Sequence, residues 1–179
     1  MKIVYSHLLN LLDQQPKLKE LSDLLFQLGH EHEIDGEVLD MEITPNRGDC
    51  LSLKGLARDL NYFYQTKELP KSAMTLPALD LQFDNKAQDV CPNISFMQIE
   101  IEQVPTKYKS YLEAYFADLG INKNNFFTDI SNYLAYESGQ PTHCFDQNTM
   151  QGHFSLAKKK LKTKFKTLLD TEIELTDEN

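Results

Sequence analysis

Leucines open the chain at helical spacing. Leu8, Leu9, Leu11 and Leu12 predict a short first helix that Ser6 can cap. After the connector Gln14-Gln15-Pro16, Leu18, Leu21, Leu25 and Leu28 fall on one face of a second helix over 17–28, and Gly29 supplies the left-handed position that ends it. The period then shortens to two. Val38, Asp40 and Glu42 alternate with Leu39, Met41 and Ile43, which predicts a half-buried strand over 37–44. Pro45 cannot continue a ladder inside a sheet. The loop Asn46-Arg47-Gly48-Asp49 follows, and helical spacing returns at Leu53, Leu56, Ala57, Leu60, Phe63 and Tyr64. This predicts a helix over 50–65 with Asp49 as its N-cap. Arg47 and Arg58 can each reach a carboxylate or a phosphate. The turn is therefore either a structural one, held by Asp49 and Arg58, or a contact surface for RNA or a partner.

Residues 66–89 change texture. Pro70, Pro77 and mixed charge read as a linker, with Leu79, Leu81 and Phe83 offering a short strand. Beyond it, Met97, Ile99 and Ile101 alternate with Gln98, Glu100 and Glu102, predicting a strand. Pro105 suits the first turn of a helix whose buried face is Tyr111, Leu112, Tyr115, Phe116 and Leu119, ended by Gly120. Another helix spans 126–138 and closes at Gly139. A last strand alternates Leu161, Thr163 and Phe165 with Lys160, Lys162, Lys164 and Lys166. The expected fold is α+β. A helix-rich module with a short strand pair occupies 1–65, a linker 66–89, and a partial α/β module 90–179.

Composition narrows the function classes. The 179 residues are 41% hydrophobic and 25% charged, an ordinary globular balance. The net charge of −9 argues against avid nucleic-acid binding by the chain as a whole. The charge is uneven, because six lysines and no acid fall within 158–166 and leave −15 on the rest. That run, with Lys158, Lys160, Lys162 and Lys164, reads equally as a phosphate contact or as the solvated face of an edge strand. Cys50, Cys91 and Cys144 are odd in number and form no CxxC pair, which points to free thiols in a reducing compartment. No apolar run is long enough to span a bilayer and no signal-peptide pattern opens the chain, so the expected location is cytoplasmic. His30 and His32 flank Glu31 without a third ligand close in sequence and read as a solvated turn, so no metal and no cofactor is expected.

Two blocks carry a resemblance. The run Met41 to Leu60 is similar to the T-P-N-R-x-D-C-L-S-x-x-G-x-A-R-[DE] signature of bacterial phenylalanyl-tRNA synthetase β subunits. Asp129-Ile130-Ser131-Asn132-Tyr133, followed by Gly139-Gln140-Pro141-Thr142-His143-Cys144-Phe145-Asp146, is similar to that family's D-[IV]-[ST]-N-Y and G-Q-P-x-H-x-F-D pair. The blocks lie about 80 residues apart in the expected order. The resemblance implies an N-terminal helical module followed by an incomplete editing domain. It further implies a non-catalytic role in tRNA aminoacylation beside a synthetase α subunit, with possible contact to tRNA. His143 would stand at the lip of the editing pocket; on residues alone it reads as a histidine bonded to backbone or to Asp146. Asn46, Asp49, Arg58, Asn132 and Asp146 would be structural members of the motifs, with Asn132 and Tyr133 bracing their helix and core. Alternatives are hydrolysis of mischarged tyrosyl-tRNA and a binding relative that has lost the chemistry.

Departures from the family limit the carry-over. Gly29 to Glu37 leaves no room for the oligonucleotide-binding barrel inserted there in the family. Gly120-Ile121-Asn122 and Cys91-Pro92-Asn93 stand where the family has G-I-R and C-P-R, so two arginines that could bind an anion bidentately are missing. The strand, Gly-rich segment and acidic residue that complete the family's editing pocket are expected to follow Asn179. The chain would then be a fragment or a shortened relative that does not itself catalyse aminoacylation.

Overall fold

The computed structural model describes residues 1–65, 75, 77–150, 153–158, 162–167 and 171–175. The fold is α+β, and its compact units interleave along the chain. One comprises 1–72 with 102–145, the other 73–101 with 146–179. The sequential division expected at 65 and 90 cuts the chain differently.

In the first unit, β1 (Lys2–Val4) leads directly into α1 (Tyr5–Leu9), and α2 spans Leu18–Gln27. β2 (Glu31–Asp35) and β3 (Val38–Glu42) form a hairpin, and the sheet order is β1-β3-β2, all antiparallel. Asp35 pairs with Val38, leaving a two-residue turn with Gly36 at φ +61°, a value that suits glycine. The expected strand pair is a three-stranded sheet: β3 lies where the alternation places it, whereas β1 has three residues and the polar β2 shows only weak alternation. The stretch 29–37 is thus the first half of a hairpin. The first helix begins before Ser6, with Val4 at its cap and no side-chain cap, because β1 hands the chain over at Val4.

A 3₁₀ turn over Pro45–Cys50 precedes α3 (Leu53–Phe63). Asp49 does not cap this helix. Ser52 does, accepting from the Gly55 N–H at 3.0 Å, while Asp49 is drawn aside by two arginines. Gly55 is required here. A Cβ on it would stand 2.1 Å from the Asp49 carbonyl oxygen and 2.9 Å from Cys50 Cα, so the backbone of the turn or of the helix would have to shift. The α3 stripe buries Leu53, Leu56, Ala57 and Leu60 against Ile3, Leu8, Leu21, Leu25, Leu39 and Met41. Phe63, read as part of that stripe, is about half exposed.

α4 (Ser110–Leu119) and α5 (Phe126–Ser138) belong to the same unit. Pro105 lies outside the helix. Tyr108 fixes the true start, its N–H donating to Glu113 and its hydroxyl to Asp129. α4 and α5 pack through Leu112, Tyr115, Phe116, Ile130 and Tyr133, whereas Tyr111 is half exposed. Gly120 (φ +62°) and Gly139 (φ +73°) end the two helices as their positions predict. Tyr136 packs against both clusters, so α5 reaches the N-terminal core.

The second unit is built from short pairings. β4 (Phe83–Asn85) runs parallel to β5 (Phe154–Leu156), and β6 (Thr163–Lys166) pairs antiparallel with β7 (Glu172–Leu175). Phe96 packs on Phe83, ring centroids 4.7 Å apart, and Ala87 is the one buried residue among those described in this unit. The strand predicted over 97–101 does not form: Met97 and Ile99 are 63% and 64% exposed, and no described strand pairs with them. Alternation states that a segment can pair but not which partner it finds. Leu161 and Lys160 lie outside the described residues, as do 66–74 of the linker.

Candidate functional site

Among the described residues, the densest polar constellation forms where the Pro45–Cys50 turn meets α3. Arg47 donates to Asp49 through Nε (3.0 Å) and Nη2 (3.2 Å), and Nη2 also reaches Asp59 and, at 2.8 Å, Cys50 Sγ. Arg58 donates to Asp49 and, at 3.5 Å, to Asp59. From the opposite side His30 Nε2 meets Asp59 Oδ2 at 3.1 Å. The turn brings Arg47, Asp49 and Cys50 together, one helical turn of α3 adds Arg58 and Asp59, and the chain entering β2 adds His30.

Charge pairing sets the protonation states. Hydrogen bonds from Arg47 hold Asp49 down at about 2 and raise Arg47 in turn. Burial alone would raise the Asp59 carboxyl, but hydrogen bonds from Arg47 and His30 leave it below the ordinary range. Burial, reinforced by the Asp59 charge, pushes the Cys50 thiol up to about 11. Cys50 is therefore a packed thiol, not a thiolate nucleophile.

His30 and His32 are not solvated. They are 2% and 7% exposed. His32 bonds Ser22 at 2.8 Å and stacks on Phe26, and His30 takes Asp59. Their partners lie 10 and 29 residues away, which spacing alone could not reveal. His30, Cys50 and Asp59 bring three potential metal donors within 4.8 Å of one another, a set that sequence reasoning missed for the same reason.

The other candidates are dispersed. Asn46 is exposed in the turn. Asn132 is exposed on α5 rather than packed, while Tyr133 packs on Tyr115 at 5.5 Å. His143 is exposed instead of buried, its ring 4.6 Å from Phe145. Asp146 accepts the Asn148 N–H at 2.9 Å and caps the short turn Gln147–Thr149. Lys158 pairs with Asp89, Lys164 with Glu172 at 2.7 Å, and Lys162 is exposed. Asp129, fully buried, was not singled out beforehand. It accepts from Tyr108 Oη at 2.6 Å and the Asn124 N–H at 2.9 Å, and pushes the Tyr108 hydroxyl up to about 12. Among the described residues no helix is long and apolar enough to cross a membrane.

Interlocked motif residues in an α+β scaffold define the class, and sequence comparison supplies the family. Residues 95–179 match the B3/4 domain family. The chain is 35% identical over 127 residues to the phenylalanine–tRNA ligase β subunit of Thermotoga maritima, covering 68% of this chain and 16% of the relative. Its identity to the same subunit of Psychrobacter arcticus is 30% over 127 residues (66% and 16%), and of Acinetobacter baylyi 28% over 150 residues (81% and 18%). The chain is related to the N-terminal region of phenylalanine–tRNA ligase β subunits, and it spans less than a fifth of the length of these relatives.

Proposed function

We propose that this chain is a non-catalytic component supporting phenylalanine tRNA aminoacylation in the cytoplasm, docked on a synthetase α subunit. The observation that carries this reading is that similarity to the β subunits coincides with a first signature whose charged groups are committed to one another. Arg47, Asp49, Arg58, Asp59 and His30 satisfy each other, and Cys50 is a buried thiol, so the motif acts as scaffold. Contact with tRNA falls to the exposed Lys162, and to Lys158 and Lys164 where phosphate displaces their exposed partners Asp89 and Glu172, rather than to Arg47, which Asp49, Asp59 and Cys50 share. The test is co-purification of the full chain with the α subunit of its own organism, and a gel shift of tRNA at low salt. Failure of both removes the support for this reading.

The exposure of His143 favours a second reading, hydrolytic editing of mischarged tyrosyl-tRNA with His143 orienting the terminal ribose. Deacylation by the wild-type chain that a His143→Ala variant lacks would establish it in place of the scaffold role.

A further inference from the structure

The donor cluster beneath the Pro45–Cys50 turn has a geometry that a scaffold role does not require. His30 Nε2 lies 3.1 Å from Asp59 Oδ2, and Cys50 Sγ lies 3.6 Å from the same oxygen. A second carboxylate, Asp49 Oδ2, stands 3.7 Å from the sulfur. Zinc bonds to nitrogen, oxygen and sulfur run roughly 2.0–2.3 Å, which sets the edges of a tetrahedral site at about 3.3–3.8 Å. Two edges of the His30–Cys50–Asp59 triangle lie close to those values, and all three donors stand within 4.8 Å of one another. Two of its donors come from enclosed residues, His30 and Cys50 at 2% and 0% exposure, and Asp59 projects from a packed helix.

The geometry points to a binding site for a thiophilic divalent cation of the zinc class, held by His30, Cys50 and Asp59 with the fourth position left to water, in which Arg47 is the resident and displaceable cation. Arg47 Nη2 lies 2.8 Å from Cys50 Sγ and bonds Asp59, so its charge fills the place an ion would take. Its side chain is 31% exposed, which leaves a path by which it swings aside. On binding, the Cys50 thiol gives its proton to solvent and the His30 proton moves from Nε2, where it faces Asp59, to Nδ1, so that the thiolate, the bare Nε2 and the Asp59 carboxylate surround the ion. Arg58 stays paired to Asp49 and offsets the remaining negative charge. One sulfur and one imidazole among the ligands select zinc or cobalt over magnesium or calcium.

The test is titration of the full chain with Co²⁺ alone, followed by displacement with Zn²⁺. The expected result is one ion per chain, a thiolate-to-cobalt charge-transfer band, and release of the thiol proton. Arg47→Ala removes the competing cation and is expected to bind about tenfold more tightly. Cys50→Ser is expected to lose the band. Because that buried replacement can compromise folding, the Cys91→Ser/Cys144→Ser double variant supplies a second readout, in which the band persists on Cys50 alone. Absence of the band in wild type, its loss in the double variant, or unchanged affinity in Arg47→Ala would each overturn the assignment.

Discussion

The two patterned blocks, 44–59 and 129–146, are treated oppositely by the fold. In the first, the charged side chains converge and satisfy one another around a buried thiol. The second is divided. Its leading residue Asp129 is fully buried and bonded twice, whereas everything from Gly139 to Asp146 is exposed. A motif can therefore mark a lineage for two physical reasons. Mutual satisfaction fixes residues because changing one leaves a partner stranded. Exposure in a patterned loop leaves side chains facing outward, where recognition takes place.

The largest expected effect breaks the first block at its core. Leu56, fully buried on α3, should lose about 2–5 kcal/mol on replacement by alanine. His143→Ala in the exposed loop should stay within about 0.5 kcal/mol. Urea unfolding of both variants checks the contrast, and equal losses would erase it.

Next comes Gly55→Ala. The added methyl meets the Asp49 carbonyl and Cys50 Cα, so the turn or the helix must shift. A loss of about 1–3 kcal/mol is expected, although alanine is the better helix former. A stabilised variant would show that α3 does not press on the turn so closely.

A comparable loss, about 1–3 kcal/mol, is expected for Asp129→Ala, which strands the Tyr108 hydroxyl and the Asn124 N–H. With His143→Ala near neutral, this pair locates the division inside the second block. An Asp129→Ala variant as stable as wild type would place the whole block on the exposed side.

How far the sequence discloses this division depends on the range of each interaction. Helical periodicity exposed α2, α3 and α4, and the helix-ending glycines at 29, 120 and 139 were visible because only the left-handed conformation was at stake. The strand at 38–42 was legible from its alternation. What remained hidden was non-local. β2 becomes a strand by pairing with β3, the histidines are buried by Ser22 and Asp59, and Ser52 caps α3 because Arg47 and Arg58 claim Asp49. For the same reason the alternation at 97–101 promised a strand that finds no described partner.

Acid sharpens the comparison from the first block's side. Asp49 and Asp59 are held below the ordinary 3.8, Asp49 at about 2. As pH falls past 3.8, the unfolded carboxylates take up protons while the folded ones stay ionised. Their contribution is complete above that pH and is lost toward about 2. Thermal melts should drop through this window, and the gap between wild type and Asp49→Asn should close across it. A constant gap would mean that the carboxylate charge does not matter.

The smallest expected effect concerns His7, which ties α1 to Tyr136 of the second block. Tyr136 Oη accepts the Val4 N–H at 3.2 Å and lies 3.1 Å from His7 Nδ1. His7 Nε2 lies 3.2 Å from Asp118 Oδ2, an ion pair only when the ring is protonated. Burial lowers the histidine below its ordinary 6.5 and outweighs the pull of Asp118 in the other direction. Protonation would place a charge on a partly buried ring. The unfolded chain therefore binds the proton first. The stability tied to neutral His7 is complete above 6.5 and declines as pH falls through the lowered value. Urea midpoints should show a shallow decline beginning below pH 6.5, well separated from the carboxylate step. A His7→Gln variant, which cannot titrate, should abolish the shallow limb and leave the carboxylate step intact. If the limb survives the substitution, the link between α1 and the second block is not set by His7.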